Sequence, residues 1–83
     1  MTLYSVRPDL LIEYAAQIEI DAAQSLKAWI ILGQSDRYGN ALSAARALRR
    51  AAAERSVSMR RETLRAAGFI VKTPKDARSP KPV

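Results

Sequence analysis

The stretch that decides the fold is PDLLIEYAAQIEIDAAQSLKAWIILG, which runs from Pro8 to Gly33. Between these two residues no glycine or proline interrupts the chain. Pro8 suits the first position of a helix, Asp9 carries the charge that a helix N-terminus favours, and Gly33 is typical of a C-terminal cap. The stretch therefore predicts one helix of about 36 Å at 1.5 Å per residue. An interruption near residues 21–24, giving two helices, is the alternative.

Apolar side chains follow one side of this helix, within an arc of roughly 120° at 100° per residue. A second apolar set lies off that stripe: Ile12, Ile20, Ile30 and Ile31. A helix this apolar must be covered on more than one side, so we expect a partner helix or a second copy of the chain. The residues predicted to face a dimer or other partner are Leu11, Tyr14, Ile18 and Trp29.

Length and composition limit what the chain can be. With 83 residues, 15 of them alanine, it forms one small domain with a thin core, which self-association would support. It has no cysteine and no histidine, so it lacks disulfides, thiolate metal sites and the commonest general base. Neither paired carboxylates nor a glycine-rich phosphate loop is evident. We therefore expect no enzyme activity, no metal and no cofactor.

The remainder of the chain predicts two shorter helices. Residues 34–40 read as a loop, with Asn40 as the N-cap of a helix from about Ala41 to Arg55. Ser58 is the predicted N-cap of a third helix ending near Ala67, whose inward side chains would be Met59, Thr63, Leu64, Ala66 and Ala67. Residues 69–71 are β-prone and would form a short strand or a plug on the core.

These elements give an all-α fold: a long N-terminal amphipathic helix, two shorter helices and a short C-terminal β-segment. Residues 1–72 would form a single helical domain, and residues 73–83 a disordered basic tail. No run of apolar residues approaches the length of a membrane span, so we expect no membrane insertion and a cytoplasmic location. The high arginine and alanine content suggests a bacterial or phage genome.

Charge is divided unevenly along the chain. Residues 1–36 carry two basic and five acidic side chains, a net of −3, whereas residues 37–83 carry twelve basic and three acidic side chains, a net of +9. Arginine forks suit phosphate, and a serine at a helix N-terminus adds further donors. A solvated surface is the simpler explanation. The residues predicted to bind nucleic acid or another anionic partner are Arg46, Arg49, Arg50, Ser58, Arg60, Arg61 and Arg65.

Two resemblances point towards DNA. The segment Ala52-Ala53-Glu54-Arg55-Ser56-Val57-Ser58 resembles the turn of helix-turn-helix DNA-binding proteins, over about 20 residues. This implies that Val57 is the buried turn residue and that Arg60, Arg61 and Arg65 contact bases or backbone; serine at 56, however, replaces the usual glycine. Val6-Arg7-Pro8-Asp9-Leu10-Leu11 is similar to the strand-to-helix entry of ribbon-helix-helix repressors, which implies that Thr2, Tyr4 and Arg7 lie near DNA.

The sequence thus predicts a small basic DNA-binding protein, of repressor or accessory type, that contacts phosphates through an arginine-rich helix pair and forms a homodimer. The alternative is a phage- or plasmid-type helical interaction module, an inhibitor or a subunit of a larger assembly, that docks on an acidic protein surface.

Overall fold

A computed structural model describes residues 1–72 of the chain. It contains three helices, α1 (Pro8–Ile31), α2 (Asp36–Ala53) and α3 (Val57–Ala66), and two short strands, β1 (Thr2–Leu3) and β2 (Ile70–Val71). The predicted helical architecture is confirmed, together with the C-terminal β-segment. The predicted disordered tail, residues 73–83, lies outside the described residues.

Residues 8–31 form a single helix, so the alternative of two helices is wrong. Gly33 ends α1 in the left-handed conformation, with φ of +70°, as its predicted role as a cap requires. Its N–H donates to the carbonyl of Ile30 at 3.1 Å, and the N–H of Gln34 donates to the carbonyl of Trp29 at 2.7 Å. This pair of hydrogen bonds is a Schellman motif, which satisfies carbonyl groups left open at a helix end.

The second helix begins five residues earlier than predicted, at Asp36 and not at Ala41 after an Asn40 cap. The N–H groups of Arg37 and Tyr38 donate to the carbonyls of Gln34 and Ser35, so helical hydrogen bonding starts almost at once after Gly33. Because one left-handed glycine completes the reversal of the chain, Gly39 and Asn40 are not needed for a loop and lie inside α2.

The third helix also begins earlier than predicted. Ser56, not Ser58, is its N-cap: the Ser56 hydroxyl accepts a hydrogen bond from the N–H of Met59 at 3.0 Å. That spacing of three residues is the one at which a serine side chain reaches a free N–H of the first turn. A second Schellman motif closes α3 at Gly68, whose φ is +97°.

One hydrophobic core joins all five elements. At its centre Leu11 of α1, Leu48 of α2 and Leu64 of α3 are fully buried. Small side chains surround them, since Ala15, Ala45, Ala47 and Ala51 are also buried. Alanine on both sides of the contact between α1 and α2 lets the two helices pack closely, at the expense of buried apolar area.

The two strands fasten the ends of the described chain together. They are parallel, with Thr2 opposite Ile70 and Leu3 opposite Val71. The N–H of Ile70 donates to the carbonyl of Met1 at 3.0 Å, and that of Lys72 to the carbonyl of Leu3 at 2.7 Å. Leu3, Phe69 and Val71 are buried in the hydrophobic core, and β2 packs against α3. Through residue 72, no helix has the length and apolar character needed to cross a bilayer.

Candidate anion-binding surface

The second helix divides its residues between the core and solvent. Ala45, Ala47, Leu48 and Ala51 are buried, whereas the side chains of the three predicted arginines are exposed: Arg46, Arg49 and Arg50. From Arg37 to Ala53 this helix carries four arginines and no carboxylate. Its exposed face therefore has a strongly positive character, as the sequence led us to expect for residues 46–50.

Arg49 is engaged within the protein. Its Nη2 donates to Oε1 of Glu19 at 2.7 Å and its Nε donates to Oε2 at 3.3 Å. The guanidinium group therefore binds a carboxylate of α1 with two hydrogen bonds. These hydrogen bonds and the positive charge of Arg49 hold the pKa of Glu19 below its usual value, and the same hydrogen bonds with the negative charge of Glu19 raise the pKa of Arg49. The pair bridges α1 and α2 and partly neutralises the arginine face.

Arg46 and Arg50 lie one helical turn apart and are not neutralised in this way. Among residues 1–72, no carboxylate forms an ion pair with either side chain. Small residues lie on the same side of α2 as these two arginines. At 100° per residue they are Gly39, Ser43 and Ala53. The two guanidinium groups are therefore accessible to an anionic partner.

The third helix presents a different face from the predicted one. Arg60 and Arg61 are each only 9% exposed, whereas Met59, Ala66 and Ala67 are exposed, contrary to the expected inward face. The reason is the register of the helix: burial is centred on Leu64, and residues 60 and 61 lie four and three positions before it, on the same side. Both side chains are therefore buried in this structure, and the prediction that Arg60 and Arg61 bind nucleic acid or another anionic partner stays a prediction.

Arg60 is the more unusual of the two buried arginines. Within residues 1–72, its Nε and Nη1 atoms are buried and have no hydrogen-bond partner. Buried side-chain donors are normally paired, and a guanidinium group keeps its charge at any ordinary pH. Arg61, in contrast, has an interaction partner. Sequence pattern gives no warning of this difference, because an arginine on a short polar helix is ordinarily solvated.

The other residues of the helix-turn-helix resemblance occupy mixed positions. Val57 is 41% exposed, so its expected burial in the turn is wrong; as the first residue of α3 it lies at the edge of the core. Ser58 is exposed in the first turn of α3 and is not the cap. Arg65 is exposed in the last turn, where a positive charge suits the helix dipole.

The four residues predicted to face a partner lie mainly against this chain's own core. Leu11 is fully buried by intramolecular packing, and Tyr14 and Ile18 pack against the same core while half-buried. Trp29 is half-buried near the end of α1, with the Arg37 guanidinium 5.5 Å from the centroid of its ring. The sequence did not indicate this cation–π contact across the turn, nor the Glu19–Arg49 pair, because both depend on the register between two helices.

Through residue 72, no group of three or more carboxylates lies close enough together to hold a metal ion. The chemistry available on the surface is instead that of exposed guanidinium groups, which bind phosphates and carboxylates. Comparisons of this chain with protein-family models, with curated proteins and with solved structures gave no match.

Proposed function

We propose that this protein is a small cytoplasmic DNA-binding protein, of repressor or accessory type, that contacts phosphates through the exposed face of α2. The observation that carries the proposal is the accessibility of Arg46 and Arg50, which lie one turn apart on α2, a helix that has no carboxylate after Asp36. The two side chains repel each other in the free protein, since like charges four residues apart in a helix are destabilising. A row of phosphates would relieve that repulsion.

The chemistry of binding would be largely electrostatic. Each arginine that neutralises a phosphate releases condensed counterions, and this release dominates sequence-independent affinity for duplex DNA. The net charge of +6 and the basic second half of the chain would assist association over longer distances. Arg49 would contribute less than its neighbours, because its two strongest hydrogen bonds already go to Glu19.

The helix-turn-helix mode of binding is the finer form of this proposal. Residues 54–56 separate α2 from α3, a connection as short as that family uses. Recognition by α3 through Arg60 and Arg61 would require both guanidinium groups to leave the interior. We therefore assign phosphate contacts to Arg46 and Arg50 of α2 first, and to Arg65 at the exposed end of α3 second.

Fluorescence anisotropy with a labelled 20-base-pair duplex, at about 50 mM salt, tests the proposal. We expect saturable binding by the full chain and a loss of about tenfold or more for the variant Arg46→Gln/Arg50→Gln. The matched control is Arg7→Gln/Arg37→Gln, which removes the same charge from the start of α1 and from the side of α2 opposite Arg46, and should retain most of the affinity. If the wild-type chain binds no duplex under these conditions, the protein is not a DNA-binding protein.

An acidic protein surface is the second candidate partner, in keeping with a phage- or plasmid-type interaction module. The favouring observation is that Arg49 already binds a carboxylate with two hydrogen bonds on this face. Affinity purification from a bacterial lysate, with and without nuclease, separates the two candidates. A protein that remains bound after nuclease treatment, and is lost with Arg46→Gln/Arg50→Gln, would favour the acidic protein over DNA.

A further inference from the structure

The first helix has a second apolar stripe that no part of residues 1–72 covers. Ile12, Ile20 and Ile30 are 46%, 51% and 58% exposed, and Ala16 and Ala23 lie between them along the helix. At 100° per residue all five fall within an arc of about 80°. This exposed stripe is separate from the buried one formed by Leu11, Ala15 and Ala22.

The packing of the chain explains why the stripe stays uncovered. Among the described elements, only α2 packs against α1, and it occupies the side of the buried stripe. Glu19, which holds Arg49 of α2, marks the boundary between the two sides. Contiguous exposed apolar surface of this kind is unusual on a small monomer and marks an interaction site.

We propose that the exposed stripe binds the same stripe of a second copy, with the two α1 helices antiparallel and crossing at Ile20. The argument is charge complementarity about that residue. Glu13 lies seven positions before Ile20 and Lys27 lies seven positions after it, each about 20° from Ile20 around the helix at 100° per residue. An antiparallel pair therefore places Glu13 of each copy opposite Lys27 of the other, twice by symmetry.

A parallel pair would have the opposite electrostatics. It would place Glu13 against Glu13 and Lys27 against Lys27, and it would align the two helix dipoles unfavourably. Small residues favour a close crossing at Ile20 itself: Ala16 and Ala23 lie on either side of it, where two backbones must approach most closely. The stripe is thus complementary to itself in both shape and charge.

This dimer differs from one formed through Leu11, Tyr14, Ile18 and Trp29. It leaves the intramolecular core intact and adds a contact on the other flank of α1. The order of helices across the dimer is α2, α1, then α1 and α2 of the second copy, so the exposed face of α2 stays uncovered. Dimerisation and binding through Arg46 and Arg50 are consequently separable.

Sedimentation equilibrium of the full chain tests the proposal. We expect the measured mass to approach twice the 9.2 kDa of the chain as the protein concentration is raised from about 1 to 100 µM. Ile20→Glu brings two carboxylates together at the crossing and should raise the dissociation constant about tenfold or more. The control, Ile70→Glu, places the same charge on an exposed residue of β2 and should leave the dimer unchanged. Circular dichroism verifies that each variant is folded.

Charge exchange tests the antiparallel orientation. Glu13→Lys and Lys27→Glu should each weaken the dimer several-fold, and the double variant Glu13→Lys/Lys27→Glu should restore it to within about twofold. A wild-type chain that is monomeric at 100 µM overturns the proposal. This conclusion holds even if the monomer binds vesicles of anionic phosphatidylglycerol through the stripe. The proposal is also overturned if Ile20→Glu leaves the dimer intact, or if Glu13→Lys and Lys27→Glu alone do not weaken it.

Discussion

Two serines at the start of α3 show how one residue decides a helix boundary. Ser56 accepts a hydrogen bond from the N–H of Met59, whereas Ser58 lies within the first turn and caps nothing. We expect Ser56→Ala to lower the free energy of unfolding by about 1 kcal/mol, since that is the usual loss for an N-cap. Urea denaturation at a fixed protein concentration measures this change.

Ser58→Ala is the matched control for the cap. The same atoms are removed two residues away, so the free energy of unfolding should change by less than about 0.5 kcal/mol. The sequence alone does not show which serine is the N-cap, because each precedes an amphipathic segment of similar length. If Ser58→Ala proved the more destabilising of the two, α3 would begin where the sequence suggested and not at Val57.

Arg60 is expected to weaken the fold in which it is buried. Its Nε and Nη1 atoms lack partners within the described chain, and an unpaired buried donor costs about 1–3 kcal/mol. Arg60→Met keeps the aliphatic length of the side chain and removes the charge, so it should raise the free energy of unfolding by about 1 kcal/mol or more. Thermal and urea denaturation would both register the gain.

Arg55→Met provides the comparison for Arg60. Arg55 is exposed just before α3, so the loss of its charge should alter stability by no more than about 0.5 kcal/mol. A destabilised Arg60→Met variant would mean that the guanidinium is paired in solution, which contradicts the burial described above.

At the scale of the elements, two glycines near the α1–α2 turn have opposite roles. Gly33 has φ of +70°, whereas Gly39 lies inside α2, and a Cβ added at either position would meet no atom within 4 Å. Gly33→Ala should therefore destabilise the protein by about 1 kcal/mol through backbone strain. Gly39→Ala should stabilise it by up to about 1 kcal/mol, because alanine favours a helix. If urea denaturation showed that both substitutions change the free energy of unfolding in the same direction, the early start of α2 would be contradicted.

The Glu19–Arg49 pair connects α1 and α2 in a pH-dependent manner. Arg49 holds the pKa of Glu19 below its usual value of 4.5 in the folded chain. The stability this gives is therefore complete above about pH 4.5 and is lost as the pH falls through the lowered pKa. Both side chains are exposed, so the effect is small and screened by salt.

Comparison with Glu19→Gln isolates that pair. Wild-type protein should have the higher melting temperature at pH 7, and the difference should shrink as the pH falls through the lowered pKa of Glu19 and its carboxylate becomes protonated. The same comparison in 1 M salt should show a reduced difference. A difference in melting temperature that stays constant from pH 7 to pH 3 would argue against the ion pair.

The sequence predicted the elements better than their boundaries. The uninterrupted run from Pro8 and the left-handed Gly33 were readable, because helix continuity and capping depend on local residue types. The starts of α2 and α3 were misplaced, since several residues near each start could serve as caps and packing chooses among them. The parallel pairing of β1 with β2 joins residues almost seventy positions apart, which no local pattern reveals.

At the scale of the whole molecule, the charge division survives folding in altered form. Arg46 and Arg50 remain accessible on α2, but α3 buries two of the arginines that its sequence suggested were solvated. Which arginines face solvent depends on the rotation of each helix about its axis. A short helix with few large apolar residues, of which only Leu64 is buried in α3, specifies that rotation weakly. The candidate surface could therefore be predicted for α2 and not for α3.

The salt dependence of DNA affinity tests the central claim most directly. If Arg46 and Arg50 each neutralise a phosphate, the plot of log binding constant against log salt should be shallower for Arg46→Gln/Arg50→Gln than for the wild type by about 1.8 units, at about 0.9 per contact. The control Arg7→Gln/Arg37→Gln should keep the wild-type slope. Equal slopes for the wild type and Arg46→Gln/Arg50→Gln would contradict phosphate binding by the exposed face of α2.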